Sequence, residues 1–424
     1  MKICKFVEGS FIPSFDGASQ RFLHISKNLS NLGVDLTIIH CYRGWSDLSI
    51  IKKQGFRTIA VSPKYYYHDY SVVDKIIRSI KPDVVEMNDM ELLMSTGLYI
   101  NKKFKIPLVY EAHFVSSVLV KNVAKNSKTI PLEKTHEKMV AKIVSGIICF
   151  TNIDKKDFLK SMKIDPKRIR IIPLGSDVGT IKFRKITKKD NTILFLGNMY
   201  FQPNQEAVND IVNKIAPLVF QKNKNVNFRF VGDVPDILRE KHQSERVTFQ
   251  GRVQDINQAF KNVRVCIVPV MTGGGMRVKI LTYMASGIPI ISTKVAAGGI
   301  HYKRFLNIAN NPIEFANKIV EIMDDLPRSI RQGKQAYQEA LMNHSWKKIG
   351  KKSLSFYKTI IKKPILSPLS PTIVKTEPFW LTETIQKGRF KKITIDGENI
   401  YILGRGHIKT FKPDKLENKN ILTN

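Results

Sequence analysis

The sequence predicts an α/β protein with two doubly wound, Rossmann-like domains and a small C-terminal β appendage. Short apolar runs that suit buried parallel strands alternate with stretches of helical periodicity, and this alternation starts afresh near residue 192. The length of 424 residues suits two domains, and 43% hydrophobic residues suffice for two cores. Because such domains bind ligands at the carboxyl ends of their strands, we expect the two halves to face a cleft.

The first half contains seven predicted strands separated by helices. Strands are expected at residues 2–7, 35–40, 58–61, 84–87, 108–111, 146–151 and 169–173, and helices at 20–32, 72–80, 92–101, 132–144 and 155–162. Residues 119–128 carry three lysines, and we expect them to be mobile.

The second half repeats this alternation. Strands are expected at residues 192–197, 228–232, 247–251, 265–270, 288–292 and 308–309, and helices at 203–219, 256–262, 276–285, 312–323, 329–342 and 346–361. We therefore predict a first domain over residues 1–183, a basic linker at 184–190 and a second domain over 190–345. Residues 364–424 combine a Pro-rich linker with alternation around Asp396-Gly397, which predicts a β-hairpin.

A glycine triplet lies between a strand and a helix in the second half. Gly273, Gly274 and Gly275 precede the helix that begins near Met276. Unpaired N–H groups at a helix N-terminus attract phosphates, and glycine lets a phosphate approach the backbone. Arg277 and Lys279 place cations where the helix dipole disfavours them, as expected if an anion binds between them. The alternative is a helix start with solvated basic residues.

The first strand and helix form a similar unit around Gly17. It lacks a full GxGxxG pattern, and His40 and Cys41 stand where a dinucleotide site has an acidic residue, which argues against NAD. Arg21, one turn into the helix, is a candidate phosphate contact or an exposed helix arginine.

Charge and composition restrict the partners. The formal net charge of +33 predicts binding to polyanions, namely phosphorylated small molecules, anionic lipid or nucleic acid, unless the lysines are simply solvated. Nucleic acid ranks last because no recognition motif is present. No apolar run is long enough to span a bilayer, and the four cysteines and nine histidines lack metal-ligand spacing, so we predict buried thiols and no metal.

Several motifs together resemble the GT-B glycosyltransferases of family 4, also called group 1. Residues 269–293 (PVMTGGGMRVKILTYMASGIPIIST) resemble the GGGTRLKILEAMA-G-PVVST run of that family. Further similar segments are residues 171–177, 193–204, 229–232 and 247–251, and the ending His344-Ser345-Trp346 before a long helix. The resemblance covers residues 1–360 and implies that a helix at about 346–363 returns to complete the first domain.

The resemblance implies retaining transfer of a sugar from a UDP- or GDP-sugar, without a metal or other cofactor. The diphosphate would lie over Gly273–Gly275 and Met276, with Arg277 and Lys279 stabilising the leaving charge. His113 would approach the transferred sugar, and Glu111 beside it would orient it or face the core. Gly17 would let acceptor and phosphate approach the first domain.

The chain departs from the family pattern at three positions of the donor site. Asn198 and Asn204 stand where the family often has basic phosphate contacts. Thr282 replaces a glutamate that the family associates with the donor ribose, and threonine offers a hydroxyl but no carboxylate. These departures predict altered donor affinity or nucleotide choice.

The acceptor implied by the resemblance is a sugar or lipid-linked glycan precursor, with residues 121–142 near an anionic membrane surface. The expected location is cytoplasmic, with peripheral association on the inner face of the membrane. Two alternatives remain: a catalytically silent GT-B protein that acts as a binding partner, and a basic membrane-binding or nucleic-acid-binding protein.

Overall fold

The computed structural model describes residues 1–7, 17–41, 56–67, 69–123, 130–272, 276–300, 305–366, 390–396, 399–404 and 407–411. It divides the chain into two compact units, Met1–Ile172 with Gly350–Asn424, and Pro173–Ile349. Each unit has its own parallel sheet, so the predicted α/β class with two Rossmann-like domains is confirmed. The cleft between them stays a prediction.

The first unit is built on a seven-stranded parallel sheet in the order β3-β2-β1-β4-β5-β6-β7. Its strands are β1 Lys2–Val7, β2 Asp35–Cys41, β3 Arg57–Val61, β4 Val84–Met87, β5 Leu108–Glu111, β6 Gly146–Cys149 and β7 Ile169–Ile171. Every residue of β4, β5 and β6 is buried, as expected when helices cover both faces of a parallel sheet.

Its helices connect successive strands. They are α1 Gly17–Asn31, α2 Pro63–Tyr67, α3 Ser71–Ile80, α4 Met90–Leu92, the π-helical turn Leu93–Gly97, α5 Leu98–Phe104, α6 Ser116–Val123, α7 Ile130–Ile143, α8 Asn152–Met162 and the 3-10 helix Pro166–Arg168.

The second unit contains a six-stranded parallel sheet in the order β10-β9-β8-β11-β12-β13. Its strands are β8 Thr192–Leu196, β9 Asn227–Val231, β10 Val247–Gly251, β11 Val263–Val268, β12 Ile290–Ser292 and β13 Leu306–Ile308. The helices are α9 Gln202–Asp210, the π-helical turn Ile211–Ile215, α10 Ala216–Lys222, α11 Asp236–His242, α12 Ile256–Ala259, α13 Val278–Ser286, α14 Pro312–Asp324, α15 Leu326–Asn343 and α16 Trp346–Lys362.

Most of the last helix, α16, belongs to the first unit and packs on its sheet. Tyr357 donates a hydrogen bond to Glu86 on β4. A Cβ at Gly146, the first residue of β6, would lie 2.6 Å from Cζ of Phe356 and 2.7 Å from Cδ1 of Ile360. The missing side chain at Gly146 therefore makes room for the helix.

A three-stranded antiparallel sheet follows near the C-terminus. Its strands are β14 Phe390–Asp396, β15 Asn399–Gly404 and β16 His407–Phe411. The first two form the hairpin around Asp396 that the alternation predicted, and β16 is an addition that the sequence analysis missed. The Pro-rich residues from 367 to 389 lie outside the described residues.

The predicted linker at residues 184–190 is wrong, because this segment packs within the second unit. The backbone N–H of Arg184 donates to the carbonyl of Ser286 at 2.8 Å, and its guanidinium pairs with Asp190. Asp190 also accepts from the backbone N–H of Thr187 at 2.6 Å. The carboxylate of Asp190 thus holds residues 184–190 in a folded conformation, although their composition resembles that of a linker. The first unit ends earlier than predicted, at Ile172 rather than at residue 183.

Residues 119–123 also differ from the sequence prediction. They form the end of α6, a helix that the sequence analysis did not predict, and residues 124–129 lie outside the described residues, so the mobility of this stretch stays a prediction. Glu137 on α7 explains the ordered helix start, because its carboxylate accepts from the backbone and hydroxyl of Ser117, each at 2.9 Å.

All four cysteines are free and buried, as predicted. Among the described residues, no group of His, Cys, Asp and Glu side chains could hold a metal ion. In the same part of the chain, no helix is both long and apolar enough to cross a membrane.

Candidate functional site

The start of α13 lies at the carboxyl end of β8 in the second unit. Tyr283 joins this helix to the strand, since its buried hydroxyl accepts a hydrogen bond of 2.7 Å from the backbone N–H of Leu196, the last residue of β8. Two glycines, Gly197 and Gly232, allow neighbouring segments to pack closely at this strand end. A Cβ at Gly232, whose φ is +133°, would lie 1.9 Å from the carbonyl oxygen of Gly197. A Cβ at Gly197 would lie 2.9 Å from the ammonium nitrogen of Lys279.

Lys279 and Arg277 form a pair of half-buried cations at this strand end. The ammonium of Lys279 lies 4.0 Å from the centre of the Phe195 ring. Burial and the nearby charge of Arg277 lower the pKa of Lys279 to about 7. Burial also lowers the pKa of Arg277. Neither cation pairs with a carboxylate within the part of the chain that the structure describes, so the local charge is uncompensated.

Two asparagines complete the surroundings of Lys279. Its ammonium donates to the side-chain oxygen of Asn204 at 2.8 Å. The amide nitrogen of Asn204 donates in turn to the backbone carbonyl of Asn198 at 2.7 Å. Asn204 is buried and Asn198 is exposed. Asn198 and Asn204 therefore lie beside Lys279, a cation predicted for the donor site, although their own side chains are neutral.

The remaining predicted donor residues surround the helix start. Arg277 is the N-cap of α13 and donates to the carbonyl of Thr272 at 2.7 Å. Met276 is buried, and the half-buried Thr282 donates its hydroxyl to the carbonyl of Val278 at 3.2 Å. Gly273, Gly274 and Gly275 lie outside the described residues, so the phosphate loop itself stays a prediction.

The first unit carries a second cluster at the carboxyl end of β5. Arg21 on α1 is fully buried, and its Nε donates to Oε1 of Glu111 at 3.1 Å. The Arg21 guanidinium also lies 4.2 Å from the ring centre of Phe150. Arg21 is thus not the exposed helix arginine of the alternative interpretation, and its predicted phosphate contact is untested. Gly17, four residues earlier, is the first residue of the same helix and is half-buried.

His113 joins this cluster from the loop after β5. Its Nε2 lies 3.8 Å from Oε1 of Glu111, its ring packs 5.5 Å from that of Phe150, and 24% of its side chain is exposed. Burial raises the pKa of Glu111, but the charge of Arg21, the hydrogen bond from His113 and the charge of Lys5 together outweigh burial, so the pKa lies well below its usual value. A charged carboxylate therefore faces His113, which stays accessible to a ligand.

Two family models match the chain along most of its α/β region. A model described as Glycosyltransferase Family 4 matches residues 15–179, and one described as Glycosyl transferases group 1 matches residues 190–325. Together they cover well over half of the sequence. The chain belongs to the group 1, family 4 glycosyltransferases.

This glycosyltransferase is similar to curated proteins of two bacteria. It is 25% identical over 328 residues to the UDP-Gal:α-D-GlcNAc-diphosphoundecaprenol α-1,3-galactosyltransferase of Escherichia coli, over 66% of this chain and 80% of the relative. It is 20% identical over 358 residues to an uncharacterized 44.6 kDa protein of the cps region of Klebsiella pneumoniae, over 79% of this chain and 86% of that protein.

Solved structures with the same fold cover the chain almost as widely. Sucrose-phosphate synthase from Thermosynechococcus elongatus superposes with a TM-score of 0.69 and 15% identity, over 85% of this chain and 99% of its own. HepE of Anabaena in complex with UDP superposes with a TM-score of 0.69 and 16% identity, over 85% of this chain and 100% of its own. These likenesses establish the GT-B fold of the glycosyltransferase.

A buried polar network of the glycosyltransferase was missed by the sequence analysis. Nζ of Lys5 on β1 lies 2.6 Å from Oε1 of Glu86 on β4, and the other carboxylate oxygen accepts from Tyr357. Burial raises the pKa of Glu86 despite the charge of Lys5. The available signal was a charged residue in the interior of each of two apolar strands, Lys5 in β1 and Glu86 in β4. A charged residue in a fully buried strand needs a partner.

Proposed function

We propose that the glycosyltransferase moves a sugar from a UDP- or GDP-sugar to a lipid-linked glycan precursor, with retention of the anomeric configuration and without a metal ion. The observation that carries this proposal is the pair Lys279 and Arg277, two half-buried cations without a carboxylate partner among the described residues. A diphosphate supplies the anionic charge that such a pair lacks.

The chemistry of glycosyl transfer suits this arrangement. Negative charge develops on the leaving diphosphate as the bond to the sugar breaks, and fixed cations stabilise that state more than the ground state. Lys279 is held by Asn204 and Arg277 by the carbonyl of Thr272, so little reorganisation is needed. The backbone N–H groups of residues 273–275 would add dipoles aimed at the same charge.

His113 is proposed to contact the transferred sugar. Its ring is about one quarter exposed and lies beside the charged Glu111, which pairs with Arg21. An imidazole in this setting can donate a hydrogen bond to a sugar hydroxyl, and the charged Glu111 beside it can stabilise developing positive charge. Gly17 would let the acceptor approach the start of α1.

The named relatives support the substrate classes. The Escherichia coli relative is named for a UDP-galactose donor and a diphosphoundecaprenol-linked acceptor, and the HepE structures contain UDP, UDP with glucose, or UDP-glucose. Uridine nucleotides and polyprenyl-diphosphate sugars are therefore the first substrates to test.

A transfer assay tests the proposal. Purified full-length protein is incubated with radiolabelled UDP- and GDP-sugars and undecaprenyl-diphosphate-linked acceptors, with and without EDTA. We expect turnover that EDTA does not change, and losses of about 10²–10³ for Lys279→Ala and Arg277→Ala, the scale observed when one charge-stabilising donor is removed.

The matched control is Lys261→Ala, which removes an exposed cation of the same unit. It should retain turnover. NMR of the product reports the anomeric configuration, and inversion would overturn the retaining mechanism. Turnover that survives Lys279→Ala and Arg277→Ala would remove the basis for the donor site.

A further inference from the structure

Three ionisable side chains of the first unit lie on one face of its sheet, where β1, β4 and β5 run side by side. Lys5 is paired in register with Glu86, and Glu86 with Val109. Because side chains alternate between the two faces of a strand, Glu111, two residues after Val109, lies on the same face. All three ionisable residues are buried. The interior at this face therefore holds one lysine and two carboxylates.

Two helices that cover this face supply further partners for the carboxylates. From α16, Tyr357 donates a hydrogen bond to Oε2 of Glu86. From α1, Arg21 donates to Glu111 twice, with Nε at 3.1 Å from Oε1 and Nη2 at 3.4 Å from Oε2. Glu86 therefore pairs with Lys5 and Glu111 with Arg21. When all four groups are ionised, their charges cancel.

Lys5 acts electrostatically on both carboxylates. Its Nζ lies 2.6 Å from Oε1 of Glu86, the contact of an ion pair. The pKa of Glu111, which burial raises and Arg21 lowers, is also lowered by the charge of Lys5. A buried ammonium is costly without a partner, and its flexible four-carbon stem allows it to change partners. Glu111 is thus the alternative partner that Lys5 would take if Glu86 no longer held it.

The alternative pairing would alter the cluster at His113. Nε2 of His113 lies 3.8 Å from Oε1 of Glu111, so the carboxylate faces the ring that is proposed to contact the sugar. With Lys5 added to Arg21, two cations would share this one carboxylate, and the cluster would become positive. Positive charge develops on the sugar while its bond to the diphosphate breaks, and a positive cluster nearby would raise that barrier.

We propose that Glu86 is a positioning residue for the transfer reaction: together with Tyr357 it holds Lys5 away from Glu111, so that no second cation joins the cluster at His113. Stability alone does not require such a pair, because apolar residues of similar volume often serve a protein interior equally well. This inference rests on the proposed function, since it assumes that His113 contacts the transferred sugar.

Steady-state kinetics of sugar transfer by the full chain test the proposal. Glu86→Gln keeps an acceptor for the Tyr357 hydroxyl but removes the charge that holds Lys5. We expect kcat to fall by about tenfold, the effect of one unit charge several ångströms away inside a protein. KM for the sugar donor should stay unchanged, because the proposed donor site lies in the second unit. An unchanged kcat would overturn the proposal.

Two variants of Lys5 separate a positioning role from a purely structural one. Lys5→Met/Glu86→Gln removes the displaced cation together with its partner, so it should recover most of the kcat that Glu86→Gln loses. Lys5→Met alone should keep the kcat of the wild type, and it carries the test if Glu86→Gln does not fold. A double variant as slow as Glu86→Gln, or a tenfold loss in Lys5→Met, would overturn the proposal.

The matched control is Asp74→Asn, which removes a carboxylate with the same two kinds of partner. Asp74 pairs with Lys103 and accepts a hydrogen bond from the hydroxyl of Tyr99 at 2.7 Å. Its substitution should leave kcat unchanged. Thermal unfolding of each variant checks its folding. An equal loss of kcat in the control would show that any broken ion pair of this unit slows transfer, and would overturn the specific role of Glu86.

Crystal structures of the variants examine the pairing without turnover. In Glu86→Gln we expect Nζ of Lys5 within about 3.2 Å of a carboxylate oxygen of Glu111. An ammonium that stays beside position 86 would overturn the proposal even if transfer is normal. A wild type that transfers no sugar, with Lys5 displaced in the variant as expected, would overturn the proposed function and support the placement of Lys5 by Glu86.

Discussion

At the scale of the residue, the proposed chemistry of the second unit depends on the environment of Lys279. Burial and the nearby charge of Arg277 make the Lys279 amine lose part of its preference for the charged form, although the Phe195 ring and the Asn204 amide oxygen favour that form. A bound diphosphate restores that preference, so binding and protonation are linked.

This linkage predicts the pH dependence of donor binding. Because the pKa of Lys279 is about 7 without a ligand, the dissociation constant for UDP should be nearly constant below that pH. It should rise by up to about tenfold per unit from pH 7 to 9, as the free protein loses the proton that the complex needs. Isothermal titration calorimetry measures it.

The control for this prediction is Lys279→Arg. A guanidinium does not deprotonate in this range, so the variant should bind UDP equally at pH 7 and 9. A wild-type dissociation constant that stays unchanged between these pH values would show that the ammonium does not take part.

The sequence identified some of these residues and not others, for physical reasons. Arg277 and Lys279 were predictable because cations at a helix start conflict with the dipole. The bond between Lys279 and Asn204 was not, because it joins residues 75 positions apart. The partners Lys5, Glu86 and Tyr357 likewise come from two strands and a distant helix, so their pairing requires the topology of the sheet.

At the scale of the element, the alternation of apolar runs and helical periodicity predicted which strands and helices exist and in what order they follow along the chain. It failed where one side chain decided the structure, as Asp190 did at the predicted linker. The alternation also missed the π-helical turns Leu93–Gly97 and Ile211–Ile215. One inserted residue changes the spacing of the apolar residues in a helix too little to be recognised in the sequence. The packing of α16 on Gly146 depends on a single missing Cβ.

Gly146→Ala tests that packing. The new Cβ would lie within 2.7 Å of both Phe356 and Ile360, so we expect a loss of about 1–3 kcal/mol in the free energy of unfolding. Urea titration followed by circular dichroism measures it. In a Phe356→Leu background the same alanine should cost less, and an equal cost in both backgrounds would contradict the contact.

At the scale of the whole molecule, both sheets could be predicted from the sequence, but the exact unit boundaries could not. Composition placed the end of the first domain at residue 183, whereas long-range packing places it at Ile172. The third strand of the C-terminal sheet was missed because β16 is preceded by only a short connection after β15.

A truncation tests the independence of the donor site from the C-terminal sheet. All residues of the proposed donor site lie in Pro173–Ile349, and α16 ends at Lys362. A chain ending at residue 366 should therefore bind UDP with the affinity of the full chain, measured by the same calorimetry. Loss of binding in a truncated chain that unfolds at the normal temperature would assign residues 367–424 a part in the site.

The most direct test of the central claim is a crystal structure of the full chain with UDP. We predict that the diphosphate lies within hydrogen-bond distance of Lys279 or Arg277 at the carboxyl end of β8, with the backbone of residues 273–275 beside it. A diphosphate bound elsewhere, with both cations unoccupied, would contradict the account.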